Sequence, residues 1–310
     1  MAQNVTIAGA SYPDVPRIDV PKTGGGTATF VDTSDADAQA SEILSGKTAY
    51  VNGVKVVGSL GSGSPILKCS VNANDDVIGV DGFGFLKIPK YAFYNNEYLI
   101  SADFSNSPDL YQLRTYAFQG CSNLTNVTLP NAVQYFDNNV FYGCQNLSLS
   151  SLPSGTLIIG PGVFYNCQSI SLSSLPNGVQ RIFNNAFYGC SRISIELLPS
   201  SLTEVQNGAF ARCTGITNIE IACGKLGDQA YATYGPVFDR CTGLSKVWIR
   251  NTCESIFATS ATISPFYNCS NLQTIYVEAS QKPDGWGSYF NYISGNTQAT
   301  VVYNQTTKPW

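Results

Sequence analysis

A seven-residue apolar pattern, Phe-x-x-Cys-x-x-Leu or Ile, recurs along most of the chain. Its central copies lie 23 residues apart, and a fixed period of this size is typical of stacked repeat solenoids. A short β-like run follows each copy, and several runs end in Leu-Pro, where proline stops a strand because it cannot donate to the ladder. The copies are Phe118/Cys121/Leu124, Phe141/Cys144/Leu147, Phe164/Cys167/Ile170, Phe187/Cys190/Ile193, Phe210/Cys213/Ile216, Phe238/Cys241/Leu244 and Phe266/Cys269/Leu272, with Phe93/Asn96/Leu99 lacking the cysteine.

The repeats depart from this pattern in two ways. Leu149, Leu172 and Ile195 come two residues after the repeat Leu or Ile, whereas the other repeats place the apolar residue three after it. A one-residue difference moves a side chain to the other face of a strand, so we expect a bulge or a change of strand direction there. The spacing also widens to 28 residues near the end, which predicts loops or extra turns around 224–235 and 251–264.

The pattern divides the chain into four parts. We predict a mainly β repeat solenoid of roughly eight repeats over residues 66–280. Residues 1–58 carry no repeat and form a small α+β module, and the Gly/Ser-rich residues 59–65 form a flexible linker. Residues 281–310 are polar and aromatic and are predicted to form a C-terminal cap.

The N-terminal module shows local signals for both strands and a helix. Residues 5–7 and 27–31 are β-rich, and a capped helix is predicted over about 34–44. Asn52-Gly53 between two β-rich runs is the strongest short hairpin signal. Asp residues near the helix start lack the ligand spacing of an EF-hand loop, so we interpret them as helix-capping groups and not as a calcium site.

Composition narrows the possible functions. The chain has 310 residues, no His, 12% charged residues and a net charge of −4. Without His it lacks the commonest general base and metal ligand, and no basic face for nucleic acid is visible. No apolar run approaches the roughly 18 residues of a membrane helix. The first residues lack the pattern of a signal peptide, so we expect folding in a cytoplasm and no membrane insertion.

Seven of the ten cysteines occupy one repeat position. Stacked repeats give equivalent residues parallel side chains, whereas a disulfide needs converging ones, so we predict free, buried thiols. Zinc is not expected, because the chain has no Cys-x-x-Cys pair. Cys69, Cys223 and Cys253 lie outside the ladder and have no predicted role.

The residues that alternate outward are the candidate binding groups. Trp248 and Tyr276 lie at equivalent positions of adjacent repeats between inward-facing residues. An aromatic pair beside charged and amide groups suits a sugar or a protein surface. Alternatives are that the C-terminal tail covers the pair through Trp286, Tyr289, Phe290, Tyr292 and Trp310, or that a subunit contact does. The candidate recognition surface comprises Asn218, Glu220, Lys246, Trp248, Arg250, Thr274, Tyr276 and Glu278.

A second aromatic feature follows the repeat Phe. Tyrosine comes directly after it in five copies, which predicts either an exposed stripe or, as we favour, rings half-buried along one side of the stack. These residues are Tyr94, Tyr142, Tyr165, Tyr188 and Tyr267.

Catalysis finds little support, and no cofactor is predicted. Without His a hydrolase would need a carboxylate pair, as glycosidases use. No spacing singles out an acid and a nucleophile among Asp75, Asp76, Glu196, Glu220 and Asp239. We therefore predict that the protein is not an enzyme, with polysaccharide cleavage as a minor alternative.

The repeat pattern resembles the BspA-type leucine-rich repeat. The consensus Ala-Phe-x-x-Cys-x-x-Leu-x-x-Ile-x-Leu-Pro is matched at its first pair by Ala92-Phe93, Ala117-Phe118, Ala186-Phe187 and Ala209-Phe210. The resemblance covers about two-thirds of the chain. It implies a parallel β-stack that mediates adhesion and recognition.

Residues 1–58 resemble an N-terminal segment of structural proteins from bacteriophages of Gram-positive hosts. The matching stretches are residues 9–16, 24–30 and 43–53. The resemblance implies a virion protein of tail fibre, baseplate or head-decoration type, assembled in the host cytoplasm. Residues 1–58 would bind other virion proteins, and the array would bind a host-surface glycan or protein. The alternative is a bacterial surface adhesin. Trimers are common in phage fibres, so a homo-oligomer is possible, although no heptad stretch predicts one.

Overall fold

The computed structural model describes residues 65–310 except Asp75, with only the backbone for Tyr231, and the backbones of short strands within residues 1–64. Those strands are β1 (Thr6–Ile7), β2 (Ala10–Ser11), β3 (Ile18–Pro21), β4 (Thr27–Phe30), β5 (Thr48–Val51) and β6 (Val54–Val57). Each pairs antiparallel with its neighbour in sequence, as β1–β2, β3–β4 and β5–β6.

The structure contains the predicted hairpin and two predicted strands of the N-terminal segment. Strands β5 and β6 flank Asn52-Gly53 as the arms of the predicted hairpin, with Val51 paired to Val54. Strands β1 and β4 lie within the segments predicted as extended. The predicted helix over 34–44 and its Asp residues lie outside the described residues, as does most of the linker.

Residues 65–310 form a solenoid of about nine turns, as the repeat pattern predicts. Most turns contribute a strand to a first sheet and then one to a second sheet, and close through a Phe-x-x-Cys turn on a third side, here called the turn side. The strands are β7 (Ile66–Val71), β8 (Val77–Phe83), β9 (Lys87–Ile88), β10 (Ser101–Asn106), β11 (Gln112–Leu113), β12 (Asn126–Thr128), β13 (Tyr135–Phe136), β14 (Ile158–Ile159), β15 (Arg181–Ile182), β16 (Leu197–Leu198), β17 (Glu204–Val205), β18 (Asn218–Ile221), β19 (Lys225–Leu226), β20 (Lys246–Ile249), β21 (Ser255–Ile256), β22 (Thr274–Val277), β23 (Tyr292–Ser294), β24 (Thr297–Gln298) and β25 (Thr300–Val302).

The first sheet consists of two separate blocks. Strands β8, β10 and β12 run parallel, and β7 covers the open edge of β8 in antiparallel fashion. The second block runs β16-β18-β20-β22-β25, all parallel. The second sheet is continuous, with eight parallel strands from β9 to β21.

The gap between the two blocks falls where the repeat pattern shifts by one residue. Leu172 and Ile195 are fully buried and Leu149 is half-buried, so these early apolar residues do turn toward the core. The segments around Leu149 and Leu172 contain no strand, and the Ser171 N–H donates to the Leu149 carbonyl at 2.8 Å. The turns of Leu149 and Leu172 therefore lack a first-sheet strand, whereas the turn of Ile195, which carries the same shift, regains one at β16.

The turn side carries its own backbone ladder. The Phe118 N–H donates to the Val140 carbonyl and the Gly120 N–H to the Tyr142 carbonyl, both at 2.8 Å, and this pairing recurs along the stack. Most turns have left-handed backbone at two positions four residues apart, such as Tyr116 (φ 61°) and Gly120 (φ 74°), whereas the turns at Arg240 and Asn268 have it only at the second position. A Cβ on Gly120 would lie 2.1 Å from Asn95 Oδ1, so glycine relieves both the strain and the contact.

The core is a spine of stacked phenylalanines lined by thiols. Successive repeat Phe rings from Phe93 to Phe266 stack with centroids 4.9–5.8 Å apart. Each repeat Cys donates its S–H to the carbonyl of the Phe one turn earlier, with Sγ···O distances of 2.9–3.1 Å. All ten cysteines are free and buried, as predicted for the ladder. Burial raises the pKa of Cys144 to about 12.

Asn96, which replaces a ladder cysteine, and two cysteines outside the ladder are also buried. Asn96 replaces the first Cys and is buried, and its amide oxygen accepts hydrogen bonds from the backbones of Tyr98 and Leu99. Cys223 and Cys253 are core residues of successive turns, and the pKa of Cys223 is raised chiefly by its hydrogen bond with Cys253.

The two wide-spaced repeats hold short 3₁₀ helices, Gln229–Tyr234 and Ala261–Ile263. Both follow a strand of the second sheet and precede the next repeat Phe, so the insertions lie at the same place in the turn, as predicted. Asp228 caps the first helix, accepting from the Ala230 N–H at 2.7 Å. Among the described residues, no helix is long and apolar enough to cross a bilayer.

The C-terminal residues continue the solenoid before they cover it. Strand β25 pairs parallel with β22, and Trp286 bridges to Ile256 at the end of the second sheet. Trp286 and Phe290 are almost fully buried in this additional turn. Residues 303–310 then fold back across the first sheet, and we call this segment the C-terminal strap.

Candidate functional site

The structure brings the eight predicted recognition residues together on the second block of the first sheet. Pairing of β18, β20 and β22 aligns Asn218 with Lys246 and Thr274. It also aligns Glu220 with Trp248 and Tyr276. The flanking residues Val247 and Ile249 are fully buried, so alternation turns these side chains away from the core, as predicted.

Three charged residues of this patch, Glu220, Arg250 and Glu278, pair with one another. Arg250 donates through Nη1 to Glu220 Oε1 at 2.7 Å and through Nε to Glu278 Oε2 at 3.1 Å. The Asn251 N–H donates to the same Glu278 oxygen at 2.8 Å. This N–H and then Arg250 lower the pKa of Glu278, while Glu278 and Glu220 raise the pKa of Arg250. Arg250, Glu220 and Glu278 are therefore already paired across three strands.

The C-terminal strap covers Trp248. The indole is only 4% exposed, and its Nε1–H donates to the Gln305 carbonyl at 3.0 Å. The Arg250 guanidinium lies 4.4 Å from the ring centroid. The tail therefore covers Trp248, which agrees in part with the alternative that the tail covers both Trp248 and Tyr276. However, the covering residues belong to the strap, whereas Trp286 and Phe290 are buried in the additional turn. Tyr276 is half-buried.

Hydrogen bonds and an ion pair hold the strap across several strands. The Asn304 N–H donates to the Ala279 carbonyl at 3.0 Å, and the Gln305 N–H donates to the Val277 carbonyl at 2.9 Å. Lys308 Nζ lies 3.5 Å from Glu196 Oε2, near the far edge of the block. The segment therefore runs from β22 toward β16 and passes over Trp248, while the other seven patch residues stay half-buried. Its role in recognition stays a prediction.

The outer face of the second sheet is also internally paired. Gln112 donates to Asp137 at 3.0 Å, and Arg181 pairs with Glu204 at 2.7 Å. Lys225 bridges Glu204 and Asp228. The hydrogen bond that Lys225 donates is the main cause of the lowered pKa of Asp228. Each charged side chain named here therefore already has a partner on this face.

The turn side presents the tyrosines that follow the repeat Phe. Tyr142, Tyr165 and Tyr188 form a parallel stack with centroids 4.6 and 4.5 Å apart, and the Arg212 guanidinium lies 5.5 Å from the Tyr188 ring centroid. Burial and the neighbouring tyrosines raise the pKa of Tyr165. All five predicted tyrosines are half-buried, which confirms the favoured interpretation.

A second tyrosine column lies beside the first and borders a cleft. Tyr91 and Tyr116 stack at 5.1 Å, and Tyr94 meets both rings edge-on. The adjacent cleft encloses about 480 Å³ and is lined by Tyr91, Tyr94, Tyr116, Gln119, Asn139 and Tyr142. Sequence analysis missed this site, although one signal was present: Tyr91 and Tyr116 each precede the repeat Phe by two residues.

The carboxylates considered for catalysis do not form an acid and nucleophile pair. Glu220 pairs with Arg250, Glu196 with Lys308, and Asp239 accepts from Asn268 at 3.0 Å. Asp76 accepts from Asn72 at 2.9 Å, and Asp75 is not described. Within the described part of the chain, no group of three or more His, Cys, Asp or Glu is placed to hold a metal ion.

Three solved structures resemble this chain at low identity. A leucine-rich repeat protein of T. pallidum is 19% identical, covers 66% of this chain and 87% of its own, and has a TM-score of 0.41. A leucine rich cell surface protein of Faecalibacterium prausnitzii is 16% identical over 94% of both chains, with a TM-score of 0.45. A leucine-rich repeat protein of Bacteroides ovatus is 19% identical over 65% of this chain and 66% of its own, with a TM-score of 0.42.

No curated protein sequence matches this chain significantly. The family model for the BspA type leucine rich repeat region matches six copies, over residues 86–217 and 158–283. These residues make up more than half of the chain and coincide with the stacked Phe and Cys spine. The chain therefore belongs to the BspA type leucine rich repeat family.

Proposed function

We propose that this protein is a non-enzymatic recognition protein whose repeat array binds a ligand on a cell surface. The observation that carries the proposal is the column arrangement of the array. Side chains at equivalent positions of successive turns line up in columns that run along the solenoid for several turns. The stack of Tyr142, Tyr165 and Tyr188 is one such column. Such extended surfaces suit the recognition of long or repetitive partners.

The charge pattern favours a ligand that is bound without strong electrostatics. Charged residues of the array pair with one another, as Arg250 does with Glu220 and Glu278. Only 12% of the residues are charged, so most polar side chains are neutral. Uncharged groups bind through hydrogen bonds and aromatic contacts, so binding should depend only weakly on salt.

A retention assay tests this function. The full chain, labelled with a fluorophore at its N-terminus, is incubated with a panel of intact Gram-positive and Gram-negative cells at low and high salt. We expect saturable retention on at least one cell type, with little loss at high salt. Absence of saturable retention above that of a labelled control protein of similar acidic pI would refute the proposal.

Catalysis is tested in the same preparations. Cell-wall glycans from the retaining cells are incubated with the chain, and reducing ends are measured over time. We expect no release. Sustained release that requires the folded chain would establish a depolymerase instead.

We further propose that residues 1–58 attach the array to a phage particle. The resemblance of residues 9–16, 24–30 and 43–53 to phage structural proteins favours this location. The partners there would be other virion proteins, and the host surface would be the target of the array. A bacterial surface adhesin with the same repeats is the competing proposal.

Immunogold electron microscopy separates the two. Antibodies against residues 1–58 should label purified phage particles at the tail, baseplate or capsid. Labelling of bacterial cell envelopes, with unlabelled particles, would favour the adhesin.

A further inference from the structure

The cleft beside Tyr116 and Tyr142 has an organisation that follows from the repeat. Tyr116 and Asn139 occupy one position in successive turns, and Gln119 and Tyr142 occupy a second position in the same two turns. Between these two turns the first position changes from tyrosine to asparagine, and the second changes from glutamine to tyrosine. The cleft arises because Gln119 and Asn139 leave space that tyrosine would fill.

Two aromatic faces are open toward this space. Tyr116 stacks on Tyr91 of the preceding turn, at 5.1 Å and 14°, so its other face looks toward the following turn. Tyr142 stacks on Tyr165 of the following turn, at 4.6 Å and 7°, so its other face looks toward the preceding turn. The two free faces therefore approach the cleft from opposite ends of the stack.

The polar groups of the cleft are available for a ligand. The side-chain amides of Gln119 and Asn139 make no hydrogen bond with any residue in the described part of the chain, although Asn139 Oδ1 lies close to the backbone of Gly162 in the following turn. The hydroxyls of Tyr116 and Tyr142 likewise have no partner there. Amides both donate and accept, and so do tyrosine hydroxyls, which matches the hydroxyl groups of a sugar.

Charge narrows the ligand further. All six lining residues are uncharged, and the nearby Lys90 lies against Tyr91, with Nζ 4.6 Å from the ring centroid. Phosphate and carboxylate groups are normally bound by Arg or Lys in fixed geometry, which this cleft lacks. The volume of about 480 Å³ falls within the range of roughly 300–1,000 Å³ found for small-ligand sites.

We propose that this cleft binds neutral hexopyranose units of a polysaccharide. The C–H face of a sugar ring would pack on Tyr116 or Tyr142, and its hydroxyls would bond to Gln119 and Asn139. Sugars with equatorial hydroxyls present such an unbroken C–H face, so β-1,4-linked glucose and N-acetylglucosamine chains fit best. This proposal rests on the proposed recognition function and assigns it a site and a ligand class.

The repeat itself supplies substitutions that preserve the backbone. Tyr116 has left-handed backbone, and Asn139 and Asn185 adopt the same conformation at the equivalent position, so Tyr116→Asn avoids strain. Tyr142→Gln introduces the residue that stands at 119. Gln119→Tyr continues the tyrosine column and fills the cleft.

Binding of cellohexaose, chitohexaose and the charged polymer polygalacturonate to the full chain is measured by calorimetry. We expect one or both neutral hexamers to bind the wild type, and Tyr116→Asn and Tyr142→Gln to weaken binding at least about tenfold by loss of an aromatic face. Gln119→Tyr should abolish it. Tyr188→Gln is the matched control, since it removes a ring of the same column outside the cleft, and should bind as the wild type does.

Three results would overturn the proposal. These are equal binding of the neutral hexamers to all cleft variants and the wild type, binding of polygalacturonate in their place, and no binding of any hexamer although cells retain the chain. In each case recognition by the array would stand and this site would fail. Loss of both cell retention and hexamer binding would refute the proposed function as well. Circular dichroism and urea unfolding confirm that each variant is folded.

Discussion

Removing the C-terminal strap should expose Trp248 while leaving the solenoid folded. The perturbation is a stop codon after Tyr303, which removes residues 304–310 of the strap; the reference is the full-length Trp310→Phe variant, so that both proteins contain only Trp248 and Trp286. Trp286 is 3% exposed and donates to the Cys253 carbonyl at 2.8 Å, so it serves as an unchanged internal reference.

The structure sets the size of the effect. The strap contributes two backbone hydrogen bonds, from the N–H groups of Asn304 and Gln305, and accepts the Trp248 indole bond. Each such bond is worth about 0.5–1.5 kcal/mol net, and the freed residues regain conformational entropy that offsets part of this loss. We therefore expect the free energy of unfolding to fall by only about 1–2 kcal/mol.

Tryptophan fluorescence is the assay. Truncation should shift the emission to longer wavelengths and make about half of the signal accessible to acrylamide. Gln305→Pro removes the N–H that bonds to Val277 and should act in the same direction, whereas Gln305→Ala keeps both backbone groups and should not. If truncation leaves acrylamide quenching unchanged, or if Gln305→Ala exposes the indole as much as Gln305→Pro, the strap does not hold Trp248 as described.

The remaining predictions concern the core and its charges. Phe164→Ala should cost about 3–5 kcal/mol in urea unfolding, because the ring is fully buried between two stacked neighbours, and Phe164→Leu should cost clearly less because it refills most of the cavity; equal losses would contradict an effect of buried volume. Thiols such as Cys144, whose pKa burial raises to about 12, should resist Ellman's reagent at pH 8 until guanidinium exposes all ten, and rapid native labelling of the ladder would disprove its burial. The pKa of Glu278 is lowered in the folded state, so its contribution is complete above the ordinary glutamate pKa and is lost as pH falls through the lowered value; Glu278→Gln should flatten this acid dependence, and an unchanged slope would count against it.

The spine could be predicted because its residues obey the repeat. Phe, Cys and Leu recur at fixed intervals, and only inward positions that stack on equivalent neighbours are constrained in this way. The pattern even located the break in the first sheet, since Leu149, Leu172 and Ile195 each come one residue early. It did not show that the strand would be lost there, because a bulge would satisfy the same pattern.

The candidate site was predictable only in part. Alternation placed Glu220, Trp248 and Tyr276 on one face, and the sheet register aligns them. The covering of Trp248 left no sequence signal, because the group that contacts it is the backbone carbonyl of Gln305, which every residue type carries. The cleft depends on which ring faces remain free after stacking, and that follows from the contacts of Tyr116 and Tyr142 in three dimensions.

The sequence by itself determined the stack: its period, its buried Phe and Cys ladders, its hairpin at Asn52-Gly53 and the place of its insertions. These features arise from residues close in sequence or from a rule repeated every turn. Tertiary structure decided which outward groups are accessible. The strap, which is far from β20 in sequence, covers Trp248, and an amide in place of a ring opens the cleft beside Tyr116. In both cases the packing of neighbours in space, and not the order of residues, decides which side chains solvent or a ligand can reach.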